Sequence, residues 1–299
     1  MTMQTKPANL SDMVEQAVVA IPGLGKFGMA LSNELHSIAT GSALARRITD
    51  FLHGTWMGHP LHPMLTDIVV GSWSLAAVAD GLALATGSET LEEGADALIV
   101  AGLLAVVPTA VTGLADYSGI YEDAVPTATA HAVGNDIGAS FYLASLFARR
   151  RGRRGLGIVL SLVGYAVMGL SASLGGALVF RQKVGVNHTP DVEPSNDWKA
   201  VLADGELPPD TMKRVRLGND KVVLLRHDNR LYAMRAVCSH AGGPLEGGML
   251  DGTCVTCPWH HSVFDFRDGH VVHGPATIPQ SRYETRIRDG QIEVRVIES

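Results

Sequence analysis

Two cysteines and two histidines carry the strongest chemical signal in the chain: Cys238-Ser239-His240, sixteen residues, then Cys257-Pro258-Trp259-His260. Two thiolates and two neutral imidazoles make a nearly complete metal site, and their pairing decides which metal it suits. Structural zinc usually takes its cysteines as C-x2-4-C and its histidines as H-x3-5-H. Here each pair mixes one cysteine with one histidine, so each segment can give one ligand to each of two irons. In a binuclear iron-sulfur centre of this type, thiolates hold one iron and imidazoles the other. That ligation raises the reduction potential above that of an all-cysteine cluster. The mixed spacing therefore favours iron over zinc.

With their flanks, these residues read CSHAGGPLEGG from Cys238 and CVTCPWHHSVFDF from Cys254. They resemble the two cluster loops of Rieske ferredoxins. The resemblance implies a 2Fe-2S cluster whose buried iron is held by Cys238 and Cys257 and whose outer iron is held by His240 and His260. It further implies single-electron exchange with a redox protein partner at the outer histidine edges. Gly274-Pro275-Ala276 resembles the loop that covers the cluster and excludes water. High-potential members carry an extra cysteine in each loop, joined as a disulfide. This chain has Gly243 and Trp259 there, and its spare thiol, Cys254, has no partner for an intramolecular bridge. Ser262 keeps a hydroxyl of the high-potential pattern, whereas Phe264 replaces a frequent tyrosine. Hydrogen bonds to the sulfurs raise the potential, so the expected value lies in the lower part of the Rieske range, which begins at about −150 mV.

The elements that must position these ligands read as strands. Lys221 to His227 and Arg230 to Val237 are β-rich runs around Asp228-Asn229, while Asp268-Gly269 and Asp289-Gly290 are hairpin signals. Arg286 to Arg288 and Ile292 to Val296 alternate as half-buried strands do. Residues 197–299 are thus expected to form the all-β Rieske domain, an antiparallel β-sandwich with a cluster-binding subdomain. Residues 183–196, with Pro190, Asp191, Glu193 and Pro194, read as a short stiff linker.

The preceding half belongs to a different solvent. Gly155 to Phe180 contains no charge, Ala97 to Ala115 is equally clean, and Asp67 to Thr86 and Thr127 to Ala148 carry a few ionisable groups. About twenty apolar residues cross a bilayer, so residues 59–182 are expected to form a membrane α-helical bundle of four transmembrane helices. Residues 1–58 contain no run of that length and read either as an amphipathic segment along the membrane surface or as a mobile tail. The motif Gly58-His59-Pro60-Leu61-His62-Pro63, with Asp67 and His131, resembles an uncharacterised bacterial membrane-protein family over roughly residues 55–180. Its implied location is the bacterial inner membrane, as a multi-pass protein.

Ionisable groups inside a bilayer are costly, so Asp67, Asp80, Asp116, His131 and Asp136 invite a functional reading. Haem b is one such reading, with His59 or His62 facing His131 as axial ligands. Mutual pairing or interfacial capping is the competing one, and it is the more common use of such groups. Arg149, Arg150, Arg151, Arg153 and Arg154 crowd one short loop, which leans toward a cytoplasmic loop and an extracytoplasmic Rieske domain. Arg153-Arg154-Gly155-Leu156 also resembles a loose twin-arginine signal.

Composition bounds the rest. Charged residues make up 18% of the 299, the mean hydropathy is +0.15 and the net charge is −6. That balance gives no basic face for nucleic acid, and three cysteines exclude a disulfide scaffold. Only 39 residues follow His260, and they hold no 2-His-1-carboxylate triad, so no oxygenase centre is expected in this chain. The function read from the sequence is a membrane-anchored single-electron carrier. Reduction of a separate oxygenase and a redox-linked proton or ion pathway are its alternatives.

Overall fold

Among the described residues, seven α-helices precede the first strand: α1 Leu10–Val19, α2 Leu24–Thr40, α3 Ala43–His53, α4 Leu61–Thr86, α5 Glu89–Tyr117, α6 Val125–Arg150 and α7 Arg154–Phe180. This computed structural model describes residues 10–189 and 194–297. Pro190, Asp191 and Glu193 of the expected linker, and the first nine residues of the chain, lie outside the described residues. The chain divides into two compact units. One comprises Met1–Gly41 with Leu61–Val184, and the other Ser42–Pro60 with Gly185–Ser299. The second unit thus takes α3, together with the turn that follows it, from far upstream in the chain.

In the helical unit, the Ser88 side chain caps α5 by accepting from Leu91 N–H at 3.4 Å, with Glu89 and Glu92 in the first turn. Helices α4, α5 and α7 are long and apolar enough to cross a membrane, with mean hydropathies of 1.7, 2.2 and 1.8. Four membrane-crossing helices were expected. The fourth, α6, has 26 residues, as many as α4. Its His131, Asn135 and Asp136 keep its apolar content below that of the other three.

Small residues let the helices approach closely. A Cβ on Gly102 would fall within the Trp73 indole, and one on Gly138 would come within 3.3 Å of the Gly164 carbonyl. Trp73 stacks on Tyr142 at 3.7 Å between ring centres. One end of the bundle is tied by ions. Buried Arg149 makes a bidentate pair with buried Asp80 and reaches Asp96 at 2.9 Å, while Arg154 reaches Asp80 at 3.1 Å and Asp96 at 3.2 Å. Two of the five loop arginines are therefore neutralised by carboxylates, and Asp80 is paired. Asp67 and Asp136 are exposed.

Among its described residues the second unit carries ten strands: β1 Lys199–Ala203, β2 Thr211–Leu217, β3 Asp220–His227, β4 Arg230–Arg235, β5 Met249–Asp251, β6 Cys254–Thr256, β7 Val263–Asp265, β8 Val271–His273, β9 Arg282–Arg288 and β10 Gln291–Val296. They form a six-stranded antiparallel sheet in the order β1-β10-β9-β4-β3-β2 and a four-stranded sheet in the order β5-β6-β7-β8. Asp228 and Asn229 both adopt positive φ, as a tight β3–β4 hairpin turn demands. Strand β3 is buried on both faces. Val222 and Leu224 join one apolar cluster with Ile292 and Val294, while Val223 and Leu225 join another with Met234, Phe264 and Phe266. That second cluster includes Cys238 and Cys257, so the core itself carries the metal-site loops.

Candidate metal centre

Each cysteine sits in a loop closed by its own backbone. Cys238 N–H donates to Gly243 O at 2.8 Å and Gly242 N–H returns to Cys238 O at 2.9 Å. In the second loop Cys257 N–H donates to Ser262 O at 2.8 Å and His261 N–H to Cys257 O at 3.2 Å. Gly242 and His261 take left-handed φ values of 82° and 61°. Such backbone conformations cluster where a site is tightly constrained. The two loops meet at Gly243, where a Cβ would lie 2.8 Å from Cys257 Sγ and 3.2 Å from the Trp259 ring.

The structure brings all four predicted donors together. The Cys238 and Cys257 thiols share a hydrogen bond, which raises the Cys238 thiol and lowers Cys257 to about 7. Backbone N–H groups of His240 and Ala241 point at the Cys238 sulfur, and those of Trp259 and His260 at the Cys257 sulfur. The His240 and His260 rings stand 4.9 Å apart, nearly perpendicular. Burial, then the neighbouring His260, His53 and His188, lowers His240 to about 3, so its ring is neutral and able to ligate. Its Nδ1 is buried without a hydrogen-bond partner among the described residues. A buried polar atom left so is rare unless something else satisfies it. Two thiols, two imidazole rings of which His240 is neutral, and N–H groups aimed at sulfur fit a 2Fe-2S cluster, and the fit to structural zinc is poorer because of the mixed pairing.

The predicted environment residues lie around this pole. Buried Ser262 Oγ accepts from Ala276 N–H at 3.0 Å, and Ser239 Oγ donates to Ile278 O at 2.7 Å, so both loops hold the segment that begins at Gly274-Pro275. Sequence reasoning missed a further set. Asp50 of α3 accepts from Gly274 N–H at 2.8 Å and from His273 Nδ1 at 2.7 Å, where the carboxylate can only accept. Buried His53 approaches the same loop, since a Cβ on Gly274 would lie 3.1 Å from its ring. His188 donates its N–H to Ser239 O at 3.0 Å. No spacing in the sequence signals these residues, because Asp50 and His273 are 223 positions apart.

The histidines expected near a haem are differently engaged. His59 Nδ1 lies 2.8 Å from the Pro60 carbonyl and His62 Nδ1 2.9 Å from the Thr109 carbonyl. His131 uses both ring nitrogens, Nδ1 against Ser171 O at 2.8 Å and Nε2 against Asn135 Nδ2 at 3.1 Å. As folded, both His131 ring nitrogens face polar partners, so ligation of a haem iron by His131 would require the Asn135 contact to open.

Residues 197–284 match the family described as Rieske [2Fe-2S] domain, and residues 58–188 match the family described as Predicted membrane protein (DUF2231). The chain is similar to Ferredoxin CarAc of Metapseudomonas resinovorans, at 31% identity over 32% of this chain and 92% of that protein. It is also similar to the anthranilate 1,2-dioxygenase ferredoxin subunit of Burkholderia cepacia, at 34% identity over 33% of this chain and 93% of that one. The cytochrome b6-f complex iron-sulfur subunit of Chlorobaculum tepidum shares 30% identity over 32% of this chain and 52% of its own length.

Proposed function

The chain belongs, through its C-terminal domain, to the Rieske 2Fe-2S family, and on that premise we propose that it is a membrane-anchored single-electron carrier. The observation that carries this reading is the meeting of two thiols and two imidazoles at one pole, with N–H groups directed at the sulfurs. Cys238 and Cys257 would hold one iron of the cluster, and His240 and His260 the other. The cluster supplies one-electron uptake and release. The surrounding residues position it: the N–H groups of His240, Ala241, Trp259 and His260 stabilise negative charge on sulfur, and the segment from Gly274 to Ile278 excludes water. No bond of a partner molecule is broken at this pole.

Helices α4, α5 and α7 support the anchoring, since their length and hydropathy suit a bilayer. The partner is a redox protein docking near the histidine edges. Similarity to ferredoxin components of dioxygenases favours one particular partner class, a separate oxygenase that takes single electrons. The test is a paired EPR and optical spectrum of the detergent-purified chain. A Rieske signal with a low average g value is expected, and stoichiometric zinc without iron would overturn the reading. The same optical spectrum tests for haem b, and no Soret band is expected while His131 keeps its bonds to Ser171 and Asn135.

A further inference from the structure

Helix α3 has two faces with different tasks. At about 100° per residue, Leu44, Ile48 and Phe51 fall within roughly 60° of arc, with His53 about 180° from them. These three are 69%, 52% and 57% exposed, and Trp56, 63% exposed, stacks on Phe51 at 5.8 Å and donates its indole N–H to the Phe51 carbonyl at 3.3 Å. Four large apolar side chains thus make one continuous outward surface, beside the cationic Arg47. The opposite side is occupied by the cluster pole, through Asp50 on His273 and Gly274 and through buried His53. A monomer in water does not keep such a stripe uncovered without a use for it.

We propose that this outward face of α3, with Trp56, seats in the headgroup layer of an anionic lipid bilayer, and that Asp50 thereby ties the cluster pole to the membrane surface. The occupant is lipid rather than protein for three reasons. Only Gly58, His59 and Pro60 separate Met57 from α4, a helix apolar enough to cross a membrane, so covalent continuity keeps this segment at the bilayer's edge. Aromatic rings paired with aliphatic side chains are the composition of interfacial helices. Arginine on the flank attracts anionic headgroups. The segment would limit how far the pole can swing, so a redox partner must meet it close to the lipid.

This inference rests on the membrane-anchored reading, and the experiment separates the two. The full-length chain, carrying Cys254→Ser, is placed in nanodiscs of phosphatidylethanolamine and phosphatidylglycerol. Nitroxides are attached at Leu44→Cys, Ile48→Cys or Phe51→Cys, with exposed Asp251→Cys as the aqueous reference. Power saturation by oxygen and by a nickel chelate reads depth. The expected result is an oxygen-to-nickel accessibility ratio severalfold higher at the three helix sites than at Asp251. Equal ratios would overturn the inference, and so would shielding from both reagents, which would mean a protein or a second copy covers the face. Those failures leave the function reading intact if the same sample shows the Rieske signal, whereas a chain freely soluble without detergent sinks the anchored reading instead. For the tie, paired labels at Phe51→Cys and Asp251→Cys report one distance distribution. Asp50→Ala is expected to broaden it with the cluster signal retained, and Asp50→Asn, which keeps the side chain's size, to broaden it less. An unchanged distribution in Asp50→Ala would overturn the tie.

Discussion

Removing the iron and lowering the pH is expected to unfold the cluster pole, because the fold buries His240 as a neutral ring. Burial, then His260, His53 and His188, lowers its pKa to about 3. In the unfolded chain the ring titrates near 6.5. A depressed folded value means that folding disfavours the proton, so the contribution is complete above about pH 6.5 and lost as the pH falls toward about 3. The gap of roughly 3.5 pH units corresponds to about 5 kcal/mol at about 1.36 kcal/mol per unit. That equals the lower end of a whole domain's stability, about 5–15 kcal/mol. With iron on the ring, Nδ1 cannot take the proton, so the loaded form should be nearly flat over the same interval. Urea unfolding of the full chain in detergent, with and without chelation, would read this through tryptophan fluorescence, since Trp259 lies 6.3 Å from the His260 ring. The metal-free midpoint should fall steadily below about pH 6.5, and His240→Gln should flatten that fall. A metal-free wild-type midpoint that stays constant down to about pH 4 would refute the argument that burial sets the ring's charge.

Three further perturbations follow from particular contacts. Gly243→Ala places a methyl 2.8 Å from Cys257 Sγ, so the purified variant should lose most of its iron and its EPR signal while keeping the β-rich circular dichroism. Ser262→Ala strips Ala276 N–H of its acceptor, which costs about 1–3 kcal/mol for a buried donor; the cluster should bleach faster on mild heating, and an unchanged rate would contradict the role given to Ser262. Asp80→Asn leaves Arg149 and Arg154 sharing Asp96 and should cost about 3 kcal/mol, a Tm drop of roughly 6–12 °C. Adding Arg149→Gln to that variant should restore much of the loss, because no uncompensated buried charge then remains.

Residues close in sequence revealed themselves in the sequence. The four candidate donors stood out by their types and spacing, and the strands around them needed only alternation and the turns at Asp228-Asn229 and Asp289-Gly290, because loop closure and hairpins are local events. The existence of α4, α5 and α7 was equally legible from run length and hydropathy, although α4 and α5 begin six and eight residues before the apolar runs at Asp67 and Ala97. What α6 does was less legible: it is as long as α4, but its His131 finds partners on α7 and within α6 itself, and its Arg149 on α4 and α5.

Packing settled the rest. Arg149 and Arg154 read as loop charge until Asp80 and Asp96 came within hydrogen-bond reach of them, and His131 read as either a ligand or a paired group, with Ser171 and Asn135 as the partners no spacing could name. Asp50 carried no signal at all, yet it holds the loop beside the metal donors from 223 residues away. Local chemistry travels with the covalent chain, so residue order displays it. Pairing between distant side chains depends on which surfaces the hydrophobic core buries against each other, and linear order holds no record of that.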